Sequence, residues 1–405
     1  MTALVNVFVA ARGNEFMRDI AQWLVEAARS VGREAAMVDD RLPTLDGSIN
    51  LVVAPHEFFE LSDFPNADLQ RAAAVSICVC TEQPGTPWFH LSVDACRRGL
   101  RTLDINPHGV QALLDVGVDA RRLPLGAVPS MSAPSSPHTE RPVDVLFLGG
   151  LDERRGAVLA SLAPELYRLN TDLHLFRFDR PVNAATPGVV FGDRKYQLLS
   201  SSKLLLNIHR DRSTHLPAGA NPPAYFEWAR MIEAMANGCV VVTEASEGFE
   251  PLQPGVHFVE ADADEMGDAI ASLIANPTHA EQIAEAAYDA VTAAPQQHRV
   301  MFEDEHVRVL QINLPPFQQE PVHVHALPSV IEGETGGPGG AKFAYIQYRF
   351  LNGSFIEIGR HEVSPTAGYR AVWTQPEGPH AIANLSGVPV RFTRIEIKPE
   401  GCAGR

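Results

Sequence analysis

The sequence predicts two α/β lobes built on parallel sheets, followed by an all-β module. Three observations predict it. Up to about residue 295, short apolar runs alternate with helical spacings, the pattern of parallel sheets covered by helices. The Pro/Ser-rich run VPSMSAPSSPHTERP (128–142) breaks the alternation once and lacks apolar periodicity, as an interdomain linker does. After Pro295 helical periodicity stops, and strand-like runs separated by glycine turns take over. The expected divisions are a first lobe at 1–128, a linker at 129–142, a second lobe at 143–295 and a β module at 296–405.

The elements follow in order. VNVFVAA (5–11) reads as a buried strand, and Phe16, Ile20, Leu24, Ala27, Ala28 and Val31 then recur at helical spacing. INLVVAP (49–55) and AVSICVC (74–80) are the next strands. VDVLFLGG (143–150) restarts the alternation, ends in glycines and precedes a helical pattern from Arg154. LHLFRF (173–178), KLLLNIH (203–209), CVVVTE (239–244) and HFVE (257–260) supply further strands. Helices are expected at Ala224–Asn237, Asp264–Ala275 and Glu281–Ala293. In the last module VRVLQINL (307–314), VHVHAL (322–327), KFAYIQYRF (342–350), SFIEIGRHEV (354–363), YRAVWTQ (369–375) and VRFTRIEIK (390–398) read as strands, with GETGGPGG (333–340) a loop.

The 405 residues carry 33 Lys and Arg against 49 Asp and Glu, a formal charge of −16. Only 10 basic and 11 acidic residues lie beyond 295, so the excess acid belongs to the first two lobes. Such a chain has no field to hold a nucleic-acid backbone or an anionic membrane, although a local basic pocket is compatible with it. No stretch approaches the roughly 20 apolar residues that span a bilayer. The opening MTALVNVFVAARGNE lacks a basic n-region and a long apolar run, so no signal peptide is expected. Cys78, Cys80, Cys96, Cys239 and Cys402 are few and odd in number, which points to a reducing compartment and a cytoplasmic protein.

Two constellations carry chemistry. In the first, a helix bearing Arg230 and Glu233, three residues apart and so on one face, ends at Gly238 and runs into a buried strand. A guanidinium suits a diphosphate, and a carboxylate can accept both hydroxyls of a ribose. The chain turns again near Gly248, at the strand edge where open α/β sheets bind ligands. EAMANGCVVVTE (233–244) resembles the EAMA-x-G-x-P-V-V stretch of glycosyltransferases of the two-Rossmann (GT-B) fold. LFLGGLDERRG (146–156) is similar to their G-R-L-x-x-x-K-G loop. The resemblance implies a transferase, hexosyltransferase-like, whose donor is a nucleotide diphosphate sugar. Glu233 would contact the ribose, and Arg155 would stand at the loop's lysine. Gly150 occupies the loop's arginine position, so Arg154 or Arg230 would replace that contact. Gly149, Lys203 and Gly248 complete the expected donor set. The family's E-x7-E pattern is broken at Tyr225, with Glu227 nearby but out of phase, and the R-x-x-E-A core resembles a divergent, spore-maturation-type subgroup.

An inverting enzyme needs a base in the first lobe, whereas a retaining one can do without. His56 and Glu82, each just after a strand, are the candidates, with Glu57 and His90 beside them and TEQPGTPWF (81–89) lining the acceptor side. Asn207 and His209 end a strand of the donor lobe and either face the cleft or cap a turn.

In the second constellation, VHVHAL puts His323 and His325 on one face of a strand. WTQPEGPHAIAN (373–384) delivers His380 after a proline–glycine turn. These segments resemble the two cupin motifs, H-x-H with a following glutamate and P-x-G-x-x-H-x3-N. His380 comes one residue early. The expected glutamate falls at Ser329 or Val330 and is absent, with Glu332 displaced. Three histidines can hold Fe, Mn, Ni or Zn, and cupins pair through their sheets, which would give a homodimer.

Three functions fit these residues. The leading one is a cytoplasmic glycosyltransferase with an accessory cupin and an acceptor of unknown identity. The second is a metal-dependent cupin enzyme, a dioxygenase or isomerase, with a degenerate GT-B platform. The third is a non-catalytic sugar-binding or assembly protein, which the substitutions at Gly150 and Tyr225 favour.

Overall fold

The structure is a computed structural model that describes residues 3–30, 33–133, 136–177, 181–210, 224–292, 298–303, 306–320, 323–325, 327–334, 341–351, 354–364 and 371–398. Cys402 and most of the GETGGPGG tract lie outside the described residues. The chain divides into two compact units, Met1–Ala287 and Tyr288–Arg405.

The first unit contains two parallel sheets. One takes β1 (Val5–Phe8), β2 (Ala35–Val38), β3 (Ile49–Val53), β4 (Ile77–Cys80), β5 (Arg101–Asp104) and β6 (Ala120–Arg122), in the order β2-β1-β3-β4-β5-β6. Its helices are α1 (Glu15–Ser30), α2 (Pro55–Glu60), α3 (Asn66–Ala74), α4 (Pro87–Cys96) and α5 (Pro107–Asp115). The other takes β7 (Val143–Gly150), β8 (Thr171–Phe176), β9 (Ser202–Asn207), β10 (Val240–Thr243) and β11 (Val259–Glu260), in the order β11-β10-β9-β7-β8. Its helices are α6 (Glu153–Leu166), α7 (Gly192–Ser200), α8 (Trp228–Ala236), α9 (Met266–Ala275) and α10 (Pro277–Thr292). Strands such as β1 and β10 are buried at every position, as expected where helices cover both faces of a parallel sheet. In each sheet the strand order reverses once, between β1 and β3 and between β7 and β9. Connections leave such a point in opposite directions, opening a crevice at the carboxyl ends of the strands.

Buried polar contacts join the two sheets' lobes. Lys195 Nζ pairs with Asp19 at 2.7 Å and Glu233 at 2.5 Å. Trp23 Nε1 donates to the Tyr196 hydroxyl, and Val182 N donates to Asn14 Oδ1. The described residues of the 128–142 run, expected as a linker, pack against the second sheet's lobe. Met131 is fully buried in a 3-10 turn, Pro129–Met131. Arg141 Nη1 donates to Ser202 O and Gly238 O, and Asn237 Nδ2 donates to Met131 O. An apolar anchor and a guanidinium that satisfies loose carbonyls fix a segment that has no periodicity to betray it. The helix expected from Ala224 begins at Trp228, because Ala224–Phe226 pair their backbone with Glu247.

The second unit comprises β12 (His298–Glu303), β13 (Val307–Leu314), β14 (His323–His325), β15 (Ser329–Glu334), β16 (Phe343–Leu351), β17 (Ser354–Val363), β18 (Val372–Thr374), β19 (Glu377–Asn384) and β20 (Val390–Ile397). They form two antiparallel sheets, β12-β13-β20-β15-β18 and β14-β19-β16-β17. This is the predicted fold class: two doubly wound parallel lobes, then an all-β module. An apolar cluster of Ile312, Leu314, Phe343, Val390 and Phe392 forms its core. The buried side of β20 runs Val390, Phe392, Arg394, Glu396, passing from apolar to charged along one strand.

Lys195 pairs with the buried Glu233 and the half-buried Asp19. Lys195→Met should lower the unfolding free energy by about 3 kcal/mol, the cost of breaking a buried pair from one side. Urea denaturation of the full chain checks this, and an unchanged midpoint would refute it.

Candidate active site

At the β7/β9 reversal three guanidinium groups gather. Asp152 caps α6 by accepting from Arg155 N at 2.8 Å, which turns Arg155 back over the strand ends. Its Nε donates to Ile208 O at 2.7 Å and its Nη1 to Gly150 O at 2.9 Å, and only 1% of the residue is exposed. Gly149 makes the room, since a Cβ there would meet the Phe147 ring edge at 2.9 Å and Arg155 Nη1 at 3.5 Å. Burial and the nearby Arg230 charge push the Arg155 guanidinium down to about 10. Arg230 Nη1 donates to Asn207 Oδ1 at 3.2 Å. Arg154 Nη1 donates to His209 O at 2.8 Å, and its guanidinium also pairs with Glu244.

Glu227 holds two of these cations together. Its carboxylate lies 3.1 Å from Arg230 Nε and 3.9 Å from Arg155 Nη2. Burial raises this carboxyl, but Arg230 and Arg155 outweigh burial and hold it at about 2. The broken E-x7-E pattern is thus offset in space. Glu227 sits one helical turn before Arg230, a spacing that could have flagged it. Glu244, the last residue of CVVVTE, also escaped the sequence reading. It accepts from His209 N at 2.7 Å and from Arg154.

The first lobe brings carboxylates to its own reversal. Glu57 follows β3 and accepts from Asn14 N at 2.8 Å and from Asn14 Nδ2. A Cβ at Gly13 would press on that carboxylate and displace it. His56 Nε2 lies 3.6 Å from Glu82 Oε1, and His56 Nδ1 lies 3.2 Å from Ser92 Oγ. Burial drives His56 down to about 4, leaving it neutral. Burial pushes Glu82 up to about 7, opposed by the Arg210 charge and reinforced by Glu57. Arg210 follows β9, so Glu82 senses the donor lobe.

Other expected residues lie elsewhere. Lys203 pairs with Asp144 at 2.7 Å, near the amino ends of β9 and β7, because the strand places it opposite the ligand edge. It does not join Arg155 and Arg230. Glu233 shares a helix with Arg230, yet its carboxylate meets Lys195 and the Tyr196 hydroxyl. Gly248 has φ +82, and a Cβ there would press on His108 and Pro107. It lets the first lobe approach closely.

In the second unit His323, His325 and His380 converge, with one ligand nitrogen of each within 4.8 Å of the others. His323 pairs with His380 across the strands and His325 with Glu377, and a register irregularity lies between them. His325 Nδ1 bonds Glu396 Oε1 at 2.7 Å, and His380 Nδ1 bonds Gly378 O at 2.8 Å. Both contacts turn Nε2 toward the common centre, as outer partners of metal-bound imidazoles do. The glutamate expected after the second histidine is absent, and Ser329 Oγ bonds Thr374 Oγ1 instead. Glu320, three residues before His323, puts its Oε1 3.7 Å from His323 Nε2. The residues present fit a divalent metal.

Residues 153–302 match the family described as glycosyl transferase-like. Among curated proteins none matches. Among solved structures, sucrose-phosphate synthase from Thermosynechococcus elongatus is 13% identical, covering 72% of this chain and 94% of that one, with a TM-score of 0.45. The Anabaena protein HepE in complex with UDP-glucose is 12% identical, covering 71% and 94%, with a TM-score of 0.48. A cupin domain from Bordetella pertussis Tohama I is 20% identical, covering 25% of this chain and 92% of that one, with a TM-score of 0.20. Among the described residues no helix is long and apolar enough to cross a membrane.

His323→Ala combined with His325→Ala should abolish stoichiometric Zn or Mn uptake by the full chain, read by elemental analysis after dialysis. Metal kept by the double variant would remove the triad from consideration.

Proposed function

We propose that the first unit transfers a sugar from a nucleoside-diphosphate donor to an acceptor hydroxyl. The convergence of Arg155 and Arg230 on Glu227 at the carboxyl edge of the second sheet carries this reading. Arg155 forms the buried floor. The Arg230 side chain, 25% exposed, reaches solvent beside Arg154, whose side chain is 38% exposed. The donor diphosphate docks against Arg230 and the amino end of α8, which has no side-chain cap of its own. As the bond from sugar to phosphate breaks, charge grows on the leaving diphosphate. Fixed guanidinium and backbone N–H groups stabilise that charge without rearranging. The match of 153–302 to the glycosyl transferase-like family supports the same reading.

Glu82 is the acceptor's base. Held near 7, it is ionised enough at neutral pH to take the hydroxyl proton, yet basic enough to keep it. Neutral His56, anchored by Ser92, positions that carboxylate.

A second reading concerns the second unit, where the outward hydrogen bonds of His325 and His380 favour a divalent metal in the triad. Bound there, such an ion supplies Lewis acidity and open coordination positions. Glu396 and Gly378 O hold the two imidazole tautomers, and Glu320 supplies a nearby carboxylate.

Two measurements test the transferase reading. UDP, GDP or TDP at about a hundredfold excess over Kd should stabilise the full chain by about 2.7 kcal/mol, and Arg230→Ala should remove most of the thermal shift. No shift with any of the three defeats the donor site. With a turned-over nucleotide sugar, kcat/KM should rise with pH as Glu82 loses its proton near 7. Glu82→Gln should cost about 10²- to 10⁴-fold in kcat/KM. A profile flat through neutrality removes Glu82 as base.

A further inference from the structure

The histidine pocket of the second unit contains a buried cation that a metal alone does not explain. Arg394 lies on β20, 2% exposed. Its Nη1 donates to Glu377 Oε2 at 2.7 Å. Its Nε and Nη2 have no hydrogen-bond acceptor among the described residues. Glu396 Oε1 lies 3.6 Å from Nε, beyond hydrogen-bond reach, and already binds His325 Nδ1. Buried N–H groups left unmade are costly, and native proteins usually satisfy them with a partner.

The two idle nitrogens lie on the same edge of the guanidinium, the side-on fork that takes both oxygens of one carboxylate. The same chain shows the arrangement elsewhere. Arg360 Nε and Nη2 each donate to one oxygen of Glu357, both at 2.9 Å. Arg394 stands beside the histidines, because its partner Glu377 lies opposite His325 in the strand register and Glu396, which bonds His325, is 3.6 Å from its Nε. The Tyr345 ring stacks 5.0 Å from His380.

Charge points the same way. Glu377 and Glu396 balance Arg394 and Arg308, which bonds Glu396 at 2.6 Å. A divalent ion on the triad adds two positive charges, and Glu320 can cancel only one. The remaining charge calls for an anion beside the metal.

We infer that the second unit binds a small organic acid, whose carboxylate sits on the Nε/Nη2 edge of Arg394 while the rest of the molecule lies against the three histidines. The inference rests on the metal reading of the triad. It names a ligand class for that site, separate from the donor sugar of the first unit.

The test uses the full chain loaded with Co(II), whose visible absorption reports ligands at the metal. Pyruvate is titrated against methyl pyruvate, its uncharged ester, and against chloride, with cobalt content measured in each sample. Pyruvate should change the spectrum saturably, while methyl pyruvate and chloride leave it unchanged over the same range. Arg394→Lys keeps the charge opposite Glu377 but loses the fork, and should weaken pyruvate about tenfold or more with cobalt content intact. An equal response to the ester or to chloride overturns the inference, as does a flat pyruvate titration with cobalt bound, which would leave water on the fork. Failure to bind cobalt overturns the metal reading and this inference together.

Discussion

Two guanidinium groups cannot share the dry end of a sheet unless a carboxylate lies between them. Glu227 meets that constraint. Arg155 is oriented by carbonyls at the ends of β7 and β9, and Arg230 by Asn207 at the end of β9. Without Glu227 these cations would repel across a short gap of low dielectric. With it, Arg155 becomes a fixed floor and Arg230 is left aimed outward. The reversal of strand order supplies the place, the cap at Asp152 turns the chain, and Gly149 supplies the space. The rest of the site follows from these placements.

The facing lobe solves a complementary problem. Glu57 is fixed by Asn14, and Asn14 also accepts from Val182 of the second lobe. One side chain therefore ties a first-lobe carboxylate to the other lobe. Lys195 does similar work between Asp19 and Glu233. Burial raises Glu82, the Arg210 charge across the gap lowers it, and the balance lands near neutrality. Its basicity is thus a property of both lobes. A change in lobe spacing would therefore shift it.

Much of the fold was legible because parallel sheets bury continuous apolar runs, and those runs stand out at VNVF and VVVT. The change to period two after residue 295 was equally plain. The packed 128–142 segment was not, because single anchors such as Met131 and Arg141 leave no periodic trace. For the site, the shared helix face of Arg230 and Glu233 and the shared strand face of His323 and His325 were read from spacing, whereas Arg155 and His380 were offered by resemblance to family motifs. Lys203 misled, since proximity to a strand does not say which end of it a side chain occupies. Glu244 was passed over because its partners Arg154 and His209 lie distant in sequence, whereas Glu227 and Glu320 stand three residues from Arg230 and His323 and were set aside as out of phase or missed. His380 stands opposite His323 across the strands, a pairing that its place in the sequence does not reveal.

The inner face of β20 shows why such partners matter. Val390 and Phe392 belong to the core, and two residues further the same face carries Arg394 and Glu396. Exchanging a buried ion pair for well-packed apolar side chains is often neutral or stabilising. A β module made only to fold would continue the apolar pattern. Here the charged stretch begins where the histidines begin, and Glu396 orients His325 while standing beside Arg394. The apolar half of the module thus holds in place the buried polar half, where the proposed metal and acid would sit.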